Sequence, residues 1–400
     1  MLILVLMRVP DHTHNRLLLL KAIRRFGPVA RTELPGLTGL SSGLVSQLTG
    51  DLANRGLLLE RKLPMKQPGR PRTHIAINQD GAIVLGANLS GGGLLKAYFV
   101  DLAGNQLHMQ AMRLEPQVSL EDMAEAMALA LEAAIVESPF DLRSISRAGI
   151  SLPALIDSVA GEVHYMTTFP AKGAVPFARI VADRLGLPVT IENDISCMAR
   201  SEHWFGRAQD LHTFTLVHLG FALGSAEYAN GVPKAGANGL NPEFGHIKSM
   251  VGDGARQCFC GARGCLVSYA SMYGILSATG ELEDAPFPPV GRLKHRFEQF
   301  LDRAETGDIA ARGVLEQAGS FLGLALANYI TATDPGQVLV AISGERFLKA
   351  IADPLTRALH ANAMPGVMPK TNVELIVADD DWRWRGTAAL ALEQTYLGSD

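Results

Sequence analysis

The first eighty residues carry a helical pattern of apolar and polar positions. Residues 15–26 predict an amphipathic helix, with apolar residues on one face and basic residues on the other. A second short helix begins near Thr32, and a third, capped by Ser41 or Ser42, runs to about Arg55. Two short helices with a glycine turn between them are typical of a helix-turn-helix.

The third helix is expected to be the one that meets DNA. Its predicted outer face, formed by Ser46, Gln47 and Thr49, is small, polar and uncharged, which suits hydrogen bonding to base edges in a major groove. The residues of this helix that we expect to contact DNA are Ser41, Ser42, Ser46 and Gln47.

Two short strands, predicted at 57–63 and 73–77, enclose a basic loop that is rich in proline and glycine. This arrangement predicts a wing beside the helix-turn-helix. Arg70 and Arg72 in the loop are expected to reach phosphates or a minor groove. The alternative is a winged helix that binds another protein and whose surface arginines are merely solvated.

From residue 82 onward, short β-rich runs alternate with helices. Strands are predicted at 83–89, 94–102, 106–114, 148–155 and 189–192, and helices at 120–137, 177–185 and 195–205. A hairpin-like pair at 214–229, a long helix at 308–333 and strands at 337–342 and 372–377, each followed by a helix, complete the chain. The order appears in part twice, which predicts two α/β halves around a ligand cleft.

Charge divides the chain in the same place as the pattern does. Residues 1–80 hold 12 Lys and Arg against 5 Asp and Glu, a net charge of +7, whereas the whole chain carries −4. The other 320 residues therefore carry −11. A basic N-terminal domain on an acidic body favours nucleic-acid binding by the former.

The apolar start of the chain, residues 1–7, is too short to cross a membrane. It also lacks a charged leader and a cleavage site made of small residues. We therefore expect no signal peptide and a cytoplasmic protein.

Three of the four cysteines lie within eight residues of one another and follow a histidine. The candidate metal ligands are His246, Cys258, Cys260 and Cys265. Three thiolates and an imidazole complete a tetrahedral zinc site and leave no position for water, so a structural Zn²⁺ is predicted. The alternative is ordinary cysteines in a reduced core. Cys197 lies apart, in a predicted helix, where a small buried residue is expected.

A second polar group, Asn193-Asp194, lies at a predicted strand-to-helix junction. A carboxylate and an amide there would face the cleft and bind hydroxyl groups. Asn and Asp also cap helices routinely. The residues alone favour neither interpretation.

These motifs together resemble the ROK family of repressors, open reading frames and kinases. The resemblance begins at about residue 15 and is most specific over 236–265, and Gly69-Arg-Pro71 is similar to the linker of the repressor branch. It implies an α/β fold: an N-terminal winged helix-turn-helix followed by a two-lobed sugar-kinase-like body of the actin-like ATPase or ribonuclease H-like type. The implied domains are 1–80, 81–195 and 196–400.

The same resemblance implies functional residues. Asn193, Asp194, Glu243 and His246 match residues that hold sugar hydroxyls in the family. Asp194 also matches the kinase base, and the four metal ligands above match the zinc ligands. His246 would thus connect the metal to the sugar site.

The chain departs from the family pattern in two phosphate loops and at one sugar-contacting position. The two loops argue against phosphoryl transfer, and the third departure changes the expected sugar site. The first phosphate loop of ROK kinases is represented by 88–92, which has lost the Asp, one Gly and the Thr, and the second, 220–224, contains Phe221 and Ala222. Close backbone approach of phosphate requires glycine, so both loops are expected to fail. Val267 replaces a Glu that touches the sugar in the family.

The sequence therefore predicts a sugar-responsive repressor of carbohydrate-metabolism genes that is not an enzyme. Its expected partners are double-stranded operator DNA, a sugar or sugar-phosphate effector, and a second copy in a homodimer or dimer of dimers. Effector binding would change the closure of the lobes and the spacing of the two winged helices. The alternatives are a ROK-type sugar kinase with an appended DNA-binding domain, and a protein-interaction module.

Overall fold

Residues 12–26 form the first of the helices in the computed structural model, which describes residues 12–63, 72–90, 93–166, 169, 173–282, 290–379 and 381–398. The wing loop with Arg70 and the glycines at 91 and 92 lie outside these residues, as does the side chain of Arg72.

The N-terminal domain is a winged helix-turn-helix. Its elements are α1 (His12–Phe26), β1 (Val29–Ala30), α2 (Leu34–Thr38), α3 (Ser42–Asn54), β2 (Leu58–Leu63) and β3 (Arg72–Ile77). Gly39 ends α2 with φ of 71°, and the Ser41 side chain caps α3 by accepting the Leu44 N–H at 3.3 Å. The strands form an antiparallel sheet in the order β1-β3-β2. The predicted elements are confirmed.

The first lobe is built on a five-stranded sheet. Its elements are β4 (Ile83–Ser90), β5 (Leu94–Asp101), β6 (Gln106–Arg113), α4 (Leu120–Glu137), β7 (Ile145–Leu152), β8 (Ala154–Asp157), β9 (Glu162–Met166), α5 (Phe177–Leu185), β10 (Val189–Asn193) and α6 (Asp194–Phe205). The sheet order is β10-β7-β4-β5-β6, with β10, β7 and β4 parallel. Helices α4 and α5 cover one face, where a continuous apolar core lies.

The second lobe repeats the parallel arrangement. Its elements are β11 (Phe214–Leu219), β12 (Leu223–Ala229), β13 (Val232–Pro233), α7 (Val267–Ala270), α8 (Met272–Ala278), α9 (Val290–Thr306), α10 (Ile309–Thr333), β14 (Gln337–Ile342), α11 (Glu345–Asn362), β15 (Asn372–Val377) and α12 (Trp382–Leu397). The sheet order is β13-β12-β11-β14-β15, with β11, β14 and β15 parallel. Helices α9, α10 and α11 bury their apolar faces together against it.

The last helix, α12, leaves the second lobe and packs on strands β4 and β7 of the first. Two strand glycines permit this, because a Cβ at Gly86 would lie 2.6 Å from Thr387 Oγ1 and a Cβ at Gly149 would lie 2.6 Å from the Thr387 carbonyl oxygen. The predicted boundary at residue 195 assigns α12 to the second lobe, although α12 packs on the first. The three-domain division stays a prediction.

Arginines of the N-terminal domain attach it to the end of α12. Arg16 donates to the Leu397 carbonyl at 2.7 Å, and Arg55 donates to the carbonyls of Tyr396 and Thr395 at 2.9 and 2.8 Å. The last carbonyls of a helix have no intrahelical donor and lie at the negative end of its dipole. Cationic donors are therefore well matched to this position.

The basic face of α1 contacts the body. Arg24 donates to the Trp204 carbonyl at the end of α6 and stacks 4.6 Å from the Phe205 ring centroid, and Arg25 pairs with Asp210. These two arginines therefore contribute to the basic charge of the N-terminal domain but contact the body. Sequence alone does not distinguish a basic face that docks on protein from one that meets phosphate.

Within the described residues, no helix is both long and apolar enough to span a bilayer.

Candidate functional site

Asn193 and Asp194 lie at the junction where β10 ends and α6 begins. Asn193 Oδ1 accepts the backbone N–H groups of Ile195 at 2.8 Å and Ser196 at 3.4 Å, and its Nδ2 donates to the Ala154 carbonyl at 3.0 Å. Asn193 therefore caps α6 and fixes the β10–α6 junction. Its sugar contact stays a prediction.

Glu192, which the sequence did not single out, organises the same junction. Its buried carboxylate accepts the Asn193 backbone N–H at 2.9 Å and the Asn241 side-chain amide at 3.0 Å, and lies 3.6 Å from the Arg200 guanidinium. Arg200 also pairs with Glu393 of α12, which accepts from the Trp204 indole as well. Helix α6 is thus held by a buried network of charged and polar side chains.

The two predicted acidic sugar ligands lie close enough to influence each other. Burial raises the pKa of Asp194, and the Arg383 guanidinium in the first turn of α12 opposes this rise. Burial also raises the pKa of Glu243, with a further contribution from the charge of Asp194. Raised carboxyl pKa values in a cleft mark groups that lack a full set of charge partners.

The segment that corresponds to the second kinase phosphate loop is closed on itself and on α8. The Gly220 N–H donates to the Ala222 carbonyl at 2.9 Å, and the Phe221 carbonyl accepts from the Tyr273 N–H at 3.3 Å. A Cβ at Gly220 would lie 2.7 Å from Ser343 Oγ, so side chains already crowd this backbone. Its expected loss of phosphate binding stays a prediction.

Val267, at the position of the family's sugar-contacting Glu, is fully buried in the core of the second lobe. An apolar side chain fits this environment and offers no hydrogen bond. Its effect on sugar binding is not settled by its burial.

The four predicted metal ligands converge. The ligand atoms of His246, Cys258, Cys260 and Cys265 all lie within 4.8 Å of one another. Cys260 Sγ lies 3.7 Å from Cys265 Sγ, and Cys258 Sγ lies 3.6 Å from His246 Nδ1. A tetrahedral zinc with ordinary bond lengths separates two sulfurs by about 3.8 Å and a sulfur and a nitrogen by about 3.6 Å. The residues fit a metal of this geometry.

Glycines fold the metal loop. Gly261 has φ of +88° and Gly264 has φ of +78°, a conformation that side chains disfavour. A Cβ at Gly264 would also lie 1.9 Å from the Met250 carbonyl oxygen. Lys248 Nζ lies 2.9 Å from Cys265 Sγ, where an ammonium group balances thiolate charge.

His246 lies between the cysteines of the metal cluster and Glu243. Its Nδ1 faces Cys258, while its Nε2 lies 3.9 Å from a carboxylate oxygen of Glu243. Burial lowers the pKa of His246, which favours the neutral ring that metals bind. The geometry thus places the carboxylate of Glu243 on the far side of the ring from the cysteines.

The face of α3 that is predicted to meet DNA is exposed at Ser46 and Gln47, but the prediction that Thr49 belongs to it was wrong. Ser41 is engaged as the helix cap, whereas Ser42, Ser46 and Gln47 are exposed. On the opposite face Thr49 is fully buried and donates to the Val45 carbonyl at 2.8 Å. A helix with a buried stripe and a small polar outer face can enter a groove without steric hindrance from large side chains. The base contacts stay predictions.

The chain matches a known protein family and is similar to regulators of known name. The model of the ROK family matches residues 88–394. The putative xylose repressor of Caldicellulosiruptor sp. (strain Rt8B.4) is 25% identical over 346 residues, which cover 84% of this chain and 86% of that protein. The DNA-binding transcriptional dual regulator NagC of Escherichia coli K12 is 24% identical over 364 residues, which cover 91% of this chain and 88% of NagC.

Solved structures share the fold. A ROK family transcriptional regulator described as a homolog of the E. coli MLC protein superposes with a TM-score of 0.77 at 23% identity, covering 97% of this chain and 98% of that one. The ROK hexokinase of Thermus thermophilus superposes with a TM-score of 0.60 at 23% identity, covering 78% of this chain and 99% of the hexokinase.

Proposed function

The chain belongs to the ROK family, and we propose from this premise that it is a sugar-responsive, DNA-binding transcriptional repressor of carbohydrate-metabolism genes. The observation that carries the proposal is a winged helix-turn-helix, with an exposed polar face on α3, attached to a two-lobed sugar-kinase-like body. Relatives named as xylose and N-acetylglucosamine repressors support it.

The share of chain matched by different relatives also supports a regulator. The hexokinase leaves about a fifth of this chain uncovered, which is about the size of the N-terminal domain, whereas the regulator covers 97%. The kinase alternative requires a phosphate loop at 220–224, where the backbone N–H of Gly220 is already donated within the loop. Kinase activity is therefore the less favoured function.

The effector is proposed to bind at the carboxyl end of β10. Asp194 and Glu243 supply carboxylate acceptors for sugar hydroxyls, and one Nδ2 hydrogen of Asn193 has no partner among the described residues. Because His246 lies beside Glu243, the metal loop would position that carboxylate. Both lobes contribute ligands, so an effector would stabilise one degree of closure over another.

Zn²⁺ is proposed as the resident metal, held by His246, Cys258, Cys260 and Cys265. When bound, it would supply cross-links among loop segments that have little core of their own. No water position remains in a four-ligand site, so its role is structural. Gly261 and Gly264 shape the loop, and Lys248 balances the thiolate charge.

DNA binding is tested with the full chain and DNA from upstream of its own gene. Fluorescence anisotropy at a series of salt concentrations should show binding that weakens steeply with salt, because phosphate contacts release counterions. The matched control is a scrambled duplex of the same composition, which should bind more weakly. Equal, weak binding to both duplexes, together with hexose-dependent ATP turnover, would favour the kinase instead.

A further inference from the structure

A cavity of about 170 Å³ lies between α1 of the N-terminal domain and the segment that follows α6 in the body. Seven titratable residues line it: His14, Lys21, Arg24, Arg25, His203, Asp210 and His212. The proposed sugar ligands are not part of its lining, and it is large enough for several non-hydrogen atoms.

The walls of this cavity are electropositive. Three cationic side chains face one carboxylate, and that carboxylate, Asp210, is paired with Arg25. Arg24 is directed to a neutral carbonyl, that of Trp204. Positive charge at the cavity is therefore not balanced by the described residues that line it.

Lys21 is the least compensated of these cations. Its Nζ lies 2.6 Å from His203 Nε2, a neutral group. Burial, together with the nearby charge of Arg24, lowers the pKa of Lys21 to about 7. A lysine kept in such a position is stabilised when an anion joins it.

His203 provides a second, independent sign of a missing ligand. When Lys21 is protonated it can only donate, so Nε2 then accepts from Lys21 and the ring proton is on Nδ1. His203 is 5% exposed, and its Nδ1 has no hydrogen-bond partner in the part of the chain that the structure describes. Buried donors without acceptors are rare because they lose their hydration without compensation. The ring itself is fixed, since its centroid lies 4.5 Å from that of Tyr228 and 6.0 Å from that of Phe214.

We propose that the cavity bounded by Lys21, Arg24 and His203 binds a small oxyanion of the phosphate type. A phosphate oxygen accepts hydrogen bonds from ammonium and guanidinium donors, which are present in the lining as Lys21 and Arg24. Its charge offsets the excess of cations.

This site goes beyond the proposed function, because neither operator DNA nor the sugar cleft is part of it. Its walls come from the N-terminal domain and the body, so a bound anion would join the two. Occupancy would therefore favour the docked arrangement of the winged helix through differential binding.

Isothermal titration of the full chain with inorganic phosphate tests the site, in a buffer without phosphate and with chloride matching the ionic strength. We expect one phosphate per chain. Lys21→Met retains the apolar stem and should weaken binding at least about tenfold, because a charge-assisted hydrogen bond is lost. His203→Phe retains the ring packing and should also weaken it. Arg31→Met is the control: Arg31 pairs with Glu60 inside the N-terminal domain and should bind phosphate as the wild type does.

Hydrogen exchange locates the ion. Phosphate should slow hydrogen exchange of the backbone amides of α1 and of residues 203–212. A separate titration with methyl phosphate determines whether a phosphate ester is also accepted. Tight binding of either ion supports the site. Absence of phosphate binding to the wild type, or equal affinity in wild type, Lys21→Met and His203→Phe, overturns the proposal. None of these measurements uses DNA, so failure here and failure of the repressor function are separate results.

Discussion

Arg55, directly after the third helix of the winged domain, donates a hydrogen bond of 2.9 Å to the Tyr396 carbonyl in the last turn of α12. Helix α12 in turn packs on α6, and a Cβ at Gly386 would lie 2.0 Å from the Cys197 carbonyl oxygen. Because α6 begins at Asp194, one continuous pair of helices joins the proposed effector site to the DNA-binding domain. We propose that closure of the lobes would reposition the winged helix along this pair of helices.

Breaking the buried pair between Arg200 and Glu393 should loosen that route. Glu393→Ala leaves a buried guanidinium with Glu192 alone, at 3.6 Å, and we expect a loss of about 3 kcal/mol or more in the free energy of unfolding. Urea unfolding followed by tryptophan fluorescence measures it. Glu316→Ala is the control, because Glu316 pairs with Arg357 at the surface and should cost less than about 1 kcal/mol. Equal losses in the two variants would contradict the role of the buried pair.

The metal loop should depend on zinc. Elemental analysis is expected to find one zinc per chain, lost in Cys258→Ser and retained in Cys197→Ala, since Cys197 lies in α6 away from the cluster. A chelator should lower the melting temperature of the wild type, because the ligands fold around the metal. A zinc-free wild type with an unchanged melting temperature would show that the cluster is not structural.

Two substitutions should separate base recognition from phosphate contact. Gln47→Ala removes an exposed amide from α3 and should cost about 1–3 kcal/mol at the cognate site, with little effect on nonspecific DNA. Arg70→Ala should weaken binding to most sequences alike and reduce the salt dependence. Anisotropy on a set of single-base variants of the site measures both. A uniform loss for Gln47→Ala, or a loss at one base pair for Arg70→Ala, would reverse the two assignments.

Stability should fall in mild acid because of His203. Burial, with the nearby charges of Lys21 and Arg200, lowers its pKa from 6.5 to about 2. Below pH 6.5 the unfolded chain therefore binds a proton that the folded protein excludes, and stability decreases by up to about 1.4 kcal/mol for each pH unit. In His203→Phe this contribution is absent, so its urea midpoint should change less between pH 7 and 5. The exposed His295, replaced by Gln, is the control. Identical pH profiles in wild type and His203→Phe would refute the prediction.

Helices and strands could be predicted from the sequence where local chemistry determines where they begin and end. The helix at 120–137 has its predicted bounds, because Ser119 caps it and the apolar spacing continues to the end. Helix α9 was missed, although Leu293, Phe297 and Phe300 follow helical spacing. Strands β8 and β9 form a hairpin. The predicted strand at 148–155 merged the end of β7 with the start of β8, and β9 was missed.

Long-range packing was beyond the sequence pattern. The return of α12 to the first lobe depends on Gly86 and Gly149, which a strand pattern alone does not link to a helix some 240 to 300 residues away. The docking of Arg24 and Arg25 was likewise hidden, because exposed basic faces suit both protein and DNA. The four candidate metal ligands were grouped correctly because short loops hold them together. Glu192 was overlooked beside two more conspicuous polar neighbours.

The most direct test of the central proposal is whether a sugar releases the protein from its upstream DNA. Fluorescence anisotropy monitors this release across a panel of sugars and sugar phosphates. We predict tight, salt-sensitive binding that one of these ligands reverses, and a variant, Asp194→Asn, that binds DNA normally but no longer responds. Tight binding that no member of the panel alters would contradict the sugar-responsive function, and absence of binding would contradict the repressor function itself.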